Sequence, residues 1–412
     1  MVDRNLFLYD LAVVAILKNE GHYLKEWLDY HLLAGVDHFY LYDNDSSDNQ
    51  AEVAAPYIEA GLVDYIPFPG KVMQYIAYND AINRFKFQCR YMAFIDLDEF
   101  IFPKTNRRIV EVVDEILSGN PNASGLSMHW QIFGSNGQDK ADYSRGVLER
   151  FTRRAPKDFS YIIKKDDNPS LLYSVGNVFL KVIANPRHVK EAHTHYMIYF
   201  DDYFSVNEIG TKLTQNPGSA PIVAEKIAVN HYFTKSREEF DLKHARGRAY
   251  SGDTWPEDYF KKHDRNEEFD DSILKYRAER AEKFSLASDE QKLQRARAAL
   301  IKTLSQFADE EISDLETALI CRALSTYLGE KIFVEASLAA ILKSLDGLKL
   351  SEIQLLLSDL PNLLSLPYPL VADLRRAVLK VISQTMNFMH KQKLWKEFSE
   401  LDYLRRLLEA WK

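Results

Sequence analysis

Cysteine is nearly absent from this chain. Only Cys89 and Cys321 occur among 412 residues, far apart. Two such residues build neither a disulfide framework nor a zinc cluster, and they fit a reducing compartment. Long apolar runs are missing too. The longest early one, Leu11–Leu17, has seven residues, too few to span a bilayer. Asp10 interrupts any signal-peptide core, and no small-residue cleavage site follows. There is no excess of positive charge: 52 Lys and Arg against 60 Asp and Glu give a formal net charge of −8, which argues against bulk nucleic-acid binding. No G-x-x-x-x-G-K-S/T loop occurs, so the apolar-then-acidic strand described below is not part of a P-loop site. The expectation is a soluble, cytoplasmic protein, with peripheral membrane contact left open.

What is present is a chain that is 46% hydrophobic and 12% aromatic, long enough for two or three domains. Leu11–Leu17 reads as a buried first strand. Leu24, Trp27, Leu28, His31 and Leu32 then recur at helical spacing, closed by Gly35. His38–Tyr42 is a second strand. Val53, Tyr57 and Ile58 mark a helix, Leu62–Pro67 a third strand, and Val72–Phe87 another helix. Alternation with short joins predicts a parallel sheet covered on both faces, with ligands beyond the carboxyl ends of the strands. The clusters Lys18–Glu20, Asp43–Asp48 and Asp96–Glu99 all fall at that edge. It brings Asn19 and Glu20 toward a donor site.

Arg90–Pro103, RYMAFIDLDEFIFP, is the focus. Apolar residues flank Asp96, Leu97, Asp98 and Glu99, and buried anions need a partner or a metal. If the strand continues, Asp96 and Asp98 point to one side, Leu97 enters the core, and Glu99 faces away. Two hard oxygen ligands there suit Mg²⁺ or Mn²⁺. The bland alternative is a strand-end turn with solvated acids. For Asp43 a turn role and a contact to a base or ribose both stand, while Asp48 reads as a helix cap.

The middle of the chain is mixed. Leu126–Trp130, Val147–Arg153, Asn177–Ile183 and Ile227–His231 read as strands. The glycine loop Phe133–Gly137 could bring backbone N–H groups to a ligand. His193 and His195 would face one way on a strand. Lys235, Lys243, Arg246 and Arg248 crowd one segment and could aim at phosphates. From about residue 285 glycine is scarce and the periodicity is helical, as in Leu293, Ala296, Leu300 and Leu304. This predicts domains 1–284 and 285–412, the second all-α and broken at Leu360–Pro369 by three prolines. It carries no concentrated catalytic chemistry, and packing, an oligomer contact or acceptor binding are its readings.

Several segments together resemble one known group. They are AILKNEGHYLKEWLDYHLLAGVDHFYLYDNDSSD (15–48), QYIAYNDAI (74–82), YMAFIDLDEFIF (91–102), HWQIFGSNG (129–137), GVLERFTRR (146–154) and VNHYFTKSREEFDLKHARGRA (229–249). In this order they resemble GT-A glycosyltransferases of the family-92 and family-2-like group, from roughly Leu11 to Ala249. The resemblance implies a Rossmann-like GT-A domain, here followed by the all-α region. It implies a nucleotide-sugar donor, with a uridine diphosphate sugar as the usual choice, and a glycan or glycoconjugate acceptor. It implies Mn²⁺ or Mg²⁺ on Asp96, Asp98 and His231, the nucleoside at Asp43, donor contacts at Gln74 and Asn79, and diphosphate contacts at Lys235 and Arg248. Inversion would need a carboxylate base, with Glu149 first and Glu191, Asp201 and Asp202 as alternatives. Two other readings compete. One is a sugar-nucleotide nucleotidyltransferase, disfavoured because KNEG stands where a glycine-rich basic signature belongs. The other is a non-catalytic carbohydrate-binding or assembly protein.

Overall fold

A computed structural model describes residues 4–165, 168–200, 202–215, 220–247, 258–283, 289–309, 314–393 and 395–410. It divides into two compact units. The larger comprises Tyr9–Ile82 and Cys89–Asp289.

The larger unit opens as the hydrophobic pattern dictates. β1 (Tyr9–Leu17) is followed by helix α1 (Gly21–Ala34), β2 (His38–Asp43), α2 (Gln50–Glu59), β3 (Val63–Pro67), α3 (Gln74–Phe85) and β4 (Cys89–Phe94). β3, β2, β1 and β4 lie side by side and parallel. Their carboxyl ends share one edge, with Leu17 opposite Asp43. α1 buries Leu24, Trp27, Leu28, His31 and Leu32, the face its spacing announces, and Gly35 ends it at φ 98°, where glycine is favoured. In α2, Ile58 is exposed, and the buried residues are Gln50 and Ala54.

Beyond β4 the expected parallel order fails. β5 (Glu99–Pro103), α4 (Ile109–Leu117), β6 (Ala123–Ile132), β7 (Leu180–Ala184), β8 (Phe204–Val206) and β9 (Ile227–His231) complete a nine-stranded mixed sheet. β7 runs antiparallel between β4 and β6, and β9 joins parallel β6 to antiparallel β5. β5 follows β4 after four residues, far fewer than the dozen or more a parallel crossover needs, and it lies at the sheet edge.

An edge strand leaves backbone groups unpaired. Here α1 supplies the partners. Trp27 Nε1 donates to Glu99 O at 2.8 Å, Tyr30 Oη to Ile101 O at 2.9 Å, and Ile101 N donates to His31 Nε2 at 3.2 Å. His31 Nδ1 lies 2.9 Å from Trp27 O. Since a carbonyl only accepts, Nδ1 carries the proton and Nε2 is the acceptor. All three side chains are fully buried.

Three local expectations are corrected. Val147–Arg150 is a helical turn, followed by the two-residue strand Arg153–Arg154. The loop Phe133–Gly137 meets protein instead of ligand. Gly134, Ser135 and Asn136 donate their N–H groups to Arg153 O, Asp264 Oδ1 and Asn266 Oδ1. A side chain on Gly134 would meet Arg265 O at 2.4 Å, which explains the glycine. His193 and His195 lie in the turn between strands Val189–Ala192 and Met197–Tyr199, so no strand alternation aligns them.

The smaller unit gathers Met1–Leu8, Asn83–Gln88 and Glu290–Lys412. Its helices include Leu315–Leu328, Lys331–Ser344, Leu350–Ser358 and Tyr368–Gln392. The proline-rich break holds the short helix Leu360–Leu364, and its prolines stand at helix starts. Arg322 pairs with Asp359, both buried. Buried Lys86 donates to Ser358 O and Oγ, each at 2.9 Å. Among the described residues no helix is long and apolar enough to cross a membrane.

Candidate active site

β4 ends at Phe94, and Leu97–Asp98 form a turn. The period-2 argument for Asp96 and Asp98 therefore does not apply, yet the turn still presents both carboxylates at the sheet edge. Asp96 Oδ1 accepts from Gln74 Nε2 at 2.6 Å and from Tyr78 Oη at 3.3 Å. Its Oδ2 accepts from Lys181 Nζ at 2.8 Å. Lys181 is fully buried on β7 and also lies 3.3 Å from Glu99 Oε2. Asp96 N donates to that same Glu99 oxygen at 2.8 Å, so Glu99 turns back toward the site. Burial, with Asp96 and Asp98 nearby, pushes the Glu99 carboxyl well above its usual range despite Lys181. Lys181 moves the other way from what burial alone would give, because Asp96 and Glu99 hold it protonated.

Asp98 faces a different set of partners. Its Oδ1 is 3.5 Å from His231 Nε2 and its Oδ2 is 2.5 Å from Lys243 Nζ. Burial would raise the Asp98 pKa, but Lys243, His231 and Lys235 hold it well below the carboxylate range. His231 ends β9, packs against the Trp130 ring at 4.2 Å, and is kept less basic by burial. Lys235 is buried with its backbone at φ 50°. Its ammonium lies over the Tyr23 ring at 4.3 Å and makes no ion pair among the described residues. Arg246, on α5 (Arg237–Arg246), pairs with Glu20 at 2.6 Å and also reaches Lys18 O.

Asp98 Oδ1 and His231 Nε2, 3.5 Å apart, form a donor pair that a divalent cation such as Mn²⁺ could use, while Lys243 holds the other Asp98 oxygen. Asp96 fits this role less well, since three donors already occupy its oxygens. Among the described residues no three His, Cys, Asp or Glu side chains close on a common point. Any remaining coordination positions would have to come from water or a bound phosphate.

The other expected residues take separate places. Asn19, at φ 53°, accepts from Ser47 N at 2.7 Å, and Asp43 Oδ1 accepts from Ser46 N and Gln50 Nε2. They build the loop at the ends of β1 and β2. Asp48 accepts from Gly21 N and Gln50 N, the first residues of α1 and α2, although the N-cap positions themselves are Glu20 and Asn49. Asn79 spends its amide on Tyr75 O and on both backbone groups of Ala192. Glu149 is exposed on its helical turn, beside an open groove of about 940 Å³ that it lines with Asp29, Leu32, Arg145, Leu274 and Arg277. Glu191 accepts from Tyr75 and lies 3.0 Å from His193 Nε2, and the Tyr75 hydrogen bond lowers its pKa. Arg248 and Asp201 lie outside the described residues.

Sequence reasoning missed Lys181, Tyr78 and Glu239. Glu239 is buried in a two-bonded pair with Arg150, at 2.9 and 2.6 Å, and accepts from Tyr23 Oη at 2.9 Å. It thereby ties α5 and the Val147–Arg150 turn to α1. The Ser236-to-Glu239 capping box was a readable signal for the start of α5. A lone lysine in an apolar strand gave no comparable sign.

The family model for glycosyltransferase family 92 matches residues 14–282. The chain belongs to glycosyltransferase family 92. It is similar to a family 92 protein of Oryza sativa subsp. japonica, with 29% identity over 178 residues, 42% of this chain and 30% of that one. A galactan beta-1,4-galactosyltransferase of Arabidopsis thaliana is 30% identical over 103 residues, 23% of this chain and 20% of that protein. The chain thus spans about a third or less of these relatives. The crystal structure of S. aureus TarS 1-349 overlaps 97% of this chain and 90% of that one at 11% identity, with a TM-score of 0.30, too loose to carry an argument. The α/β domain followed by a helical region, expected from sequence, is what this family 92 chain forms.

Proposed function

We propose that the chain transfers a sugar from a nucleoside diphosphate sugar, with uridine diphosphate as the nucleotide, to a glycan acceptor. One observation carries this beyond family membership. Lys181, Lys235, Lys243 and Arg246 converge with Asp96, Asp98 and Glu20 at the carboxyl edge of the sheet. Burial raises the Glu99 pKa, which weakens the negative charge opposing these basic groups. Lys235 makes no ion pair among the described residues and burial lowers its pKa, so an anion bound beside it would hold it protonated.

The residues divide the work. Lys235 and Lys243 bind the diphosphate, and Arg246 joins them by exchanging Glu20 for a phosphate oxygen. Gln74, Tyr78 and Lys181 hold Asp96 and so fix the turn that carries Asp98. Mn²⁺ or Mg²⁺, held by Asp98 and His231, would supply Lewis-acid stabilisation of the departing diphosphate. An inverting transfer needs a carboxylate base, with Glu149 first and Glu191, Asp201 and Asp202 as the alternatives.

Calorimetric titration of the full chain with nucleoside diphosphates, with Mn²⁺ and with chelator, tests this reading. Selective Mn²⁺-dependent binding of uridine diphosphate is expected, and Asp98→Asn, which keeps the side chain's size, should abolish its Mn²⁺ dependence in a chain whose circular dichroism still shows the native fold. Binding by no nucleotide under any condition overturns the proposal. Of Glu149→Gln and Glu191→Gln, the one that loses 10²-fold or more in kcat with donor binding retained identifies the base.

A further inference from the structure

The paired histidines of the His193-Thr194-His195 segment are not used by the reading above, and His195 is placed unusually. Its Nδ1 lies 3.0 Å from Leu180 O, the residue before Lys181. A carbonyl only accepts, so Nδ1 carries the proton and Nε2 presents a lone pair. Nε2 meets no hydrogen-bond or ion partner among the described residues. Unlike His231 Nδ1 it is not sealed from solvent, and His195 is half-buried.

The ring is held in place. Phe179 packs against it at 4.6 Å and Trp130 meets it edge-on at 5.3 Å. That same Trp130 ring packs against His231. Burial, aided by Lys181, keeps the imidazole neutral, with a pKa of about 3. A fixed neutral acceptor beside a half-exposed phenyl ring matches one face of a pyranose, whose C–H groups prefer aromatic surface and whose hydroxyls donate.

The geometry points to His195 as the acceptor for a hydroxyl of the transferred sugar, in a subsite walled by Phe179 and backed by the buried Trp130 ring. This rests on the donor site proposed above. The donor's sugar is favoured over the acceptor's because of what anchors His195. Its backbone partner precedes the lysine that holds Asp96, and its aromatic neighbour lies against His231. The sugar is one bridging oxygen away from the diphosphate that those groups face.

Calorimetry on the full chain with Mn²⁺ compares uridine diphosphate with UDP-galactose and UDP-glucose. His195→Phe keeps the aromatic packing and removes the acceptor. It should leave uridine diphosphate affinity within about twofold and weaken the sugar-bearing donor about three- to tenfold, the size of one hydrogen bond. His195→Gln, which keeps an acceptor oxygen, should recover most of the loss. If His195→Phe does not fold, His195→Asn, too short to reach the same point, replaces it. Equal losses for both ligands, or no loss for either, overturn the assignment and leave the donor site standing. So does an unchanged donor affinity with a raised acceptor KM, which would move His195 to the acceptor. A wild-type chain that binds no uridine diphosphate overturns both proposals.

Discussion

Single residues carry unusually specific duties in this fold. His31 both donates to Trp27 O and accepts from Ile101 N, so only the neutral ring serves. Burial lowers its pKa to about 3. His263 and His195 are also held at about 3 and His129 at about 4, with burial the largest cause in each. In the unfolded chain each would titrate near 6.5. Between these values the unfolded state binds more protons, so stability falls as pH drops below about 6.5 and each full loss is reached near pH 3 to 4. At pH 5 the fully buried His31 should cost about 2 kcal/mol relative to pH 7, and half-buried His195, open to water at Nε2, less. His31→Leu leaves Ile101 N unpaired and should cost about 1–3 kcal/mol at pH 7. Because leucine does not titrate, its deficit against the wild type should shrink as the pH is lowered to 5. Denaturant titrations at both pH values measure it, and a constant gap would show that His31 is not the protonating group.

Elements are positioned by a few buried polar ties. Arg150 and Glu239 are each 1% exposed, and Tyr23 joins them from α1. Removing one member of a buried pair strands the other charge. Arg150→Leu should therefore cost about 3–5 kcal/mol and weaken nucleotide binding, because α5 carries Lys243 and Arg246. Melting curves with and without uridine diphosphate separate the two effects. This scale also shows what could be read in the sequence. β1, β2 and the buried face of α1 were legible, because continuous apolar runs and three-four spacing survive folding unchanged. β9 was legible to the residue. Asp96 and Asp98 were singled out by their apolar flanks, but the turn holding them was not, since nothing in IDLDEF marks the strand's end at Phe94. The Val147–Arg150 turn was misread because four residues are too few for a period to appear. Lys181 was invisible because its partners lie 82 to 85 residues earlier, a distance that no local pattern spans.

For the whole molecule, ligand and fold are linked. A ligand that binds only the folded state at 100 times its Kd should add about 2.7 kcal/mol of stability. Uridine diphosphate with Mn²⁺ should raise the melting temperature, while either alone should do much less. Equal shifts with and without Mn²⁺ would separate the nucleotide site from Asp98 and His231. The composition of the smaller unit has a consequence for how the chain is made. Its segment Asn83–Gln88 is bounded on both sides by strands and helices of the sheet, yet Lys86 finds Ser358 across a separation of 272 residues. A ribosome finishes the whole sheet long before it delivers that partner. Until then Lys86 lacks Ser358 as its partner, and Phe85 and Phe87 lack the packing of the smaller unit. The smaller unit is therefore completed only after the sheet that interrupts it in sequence.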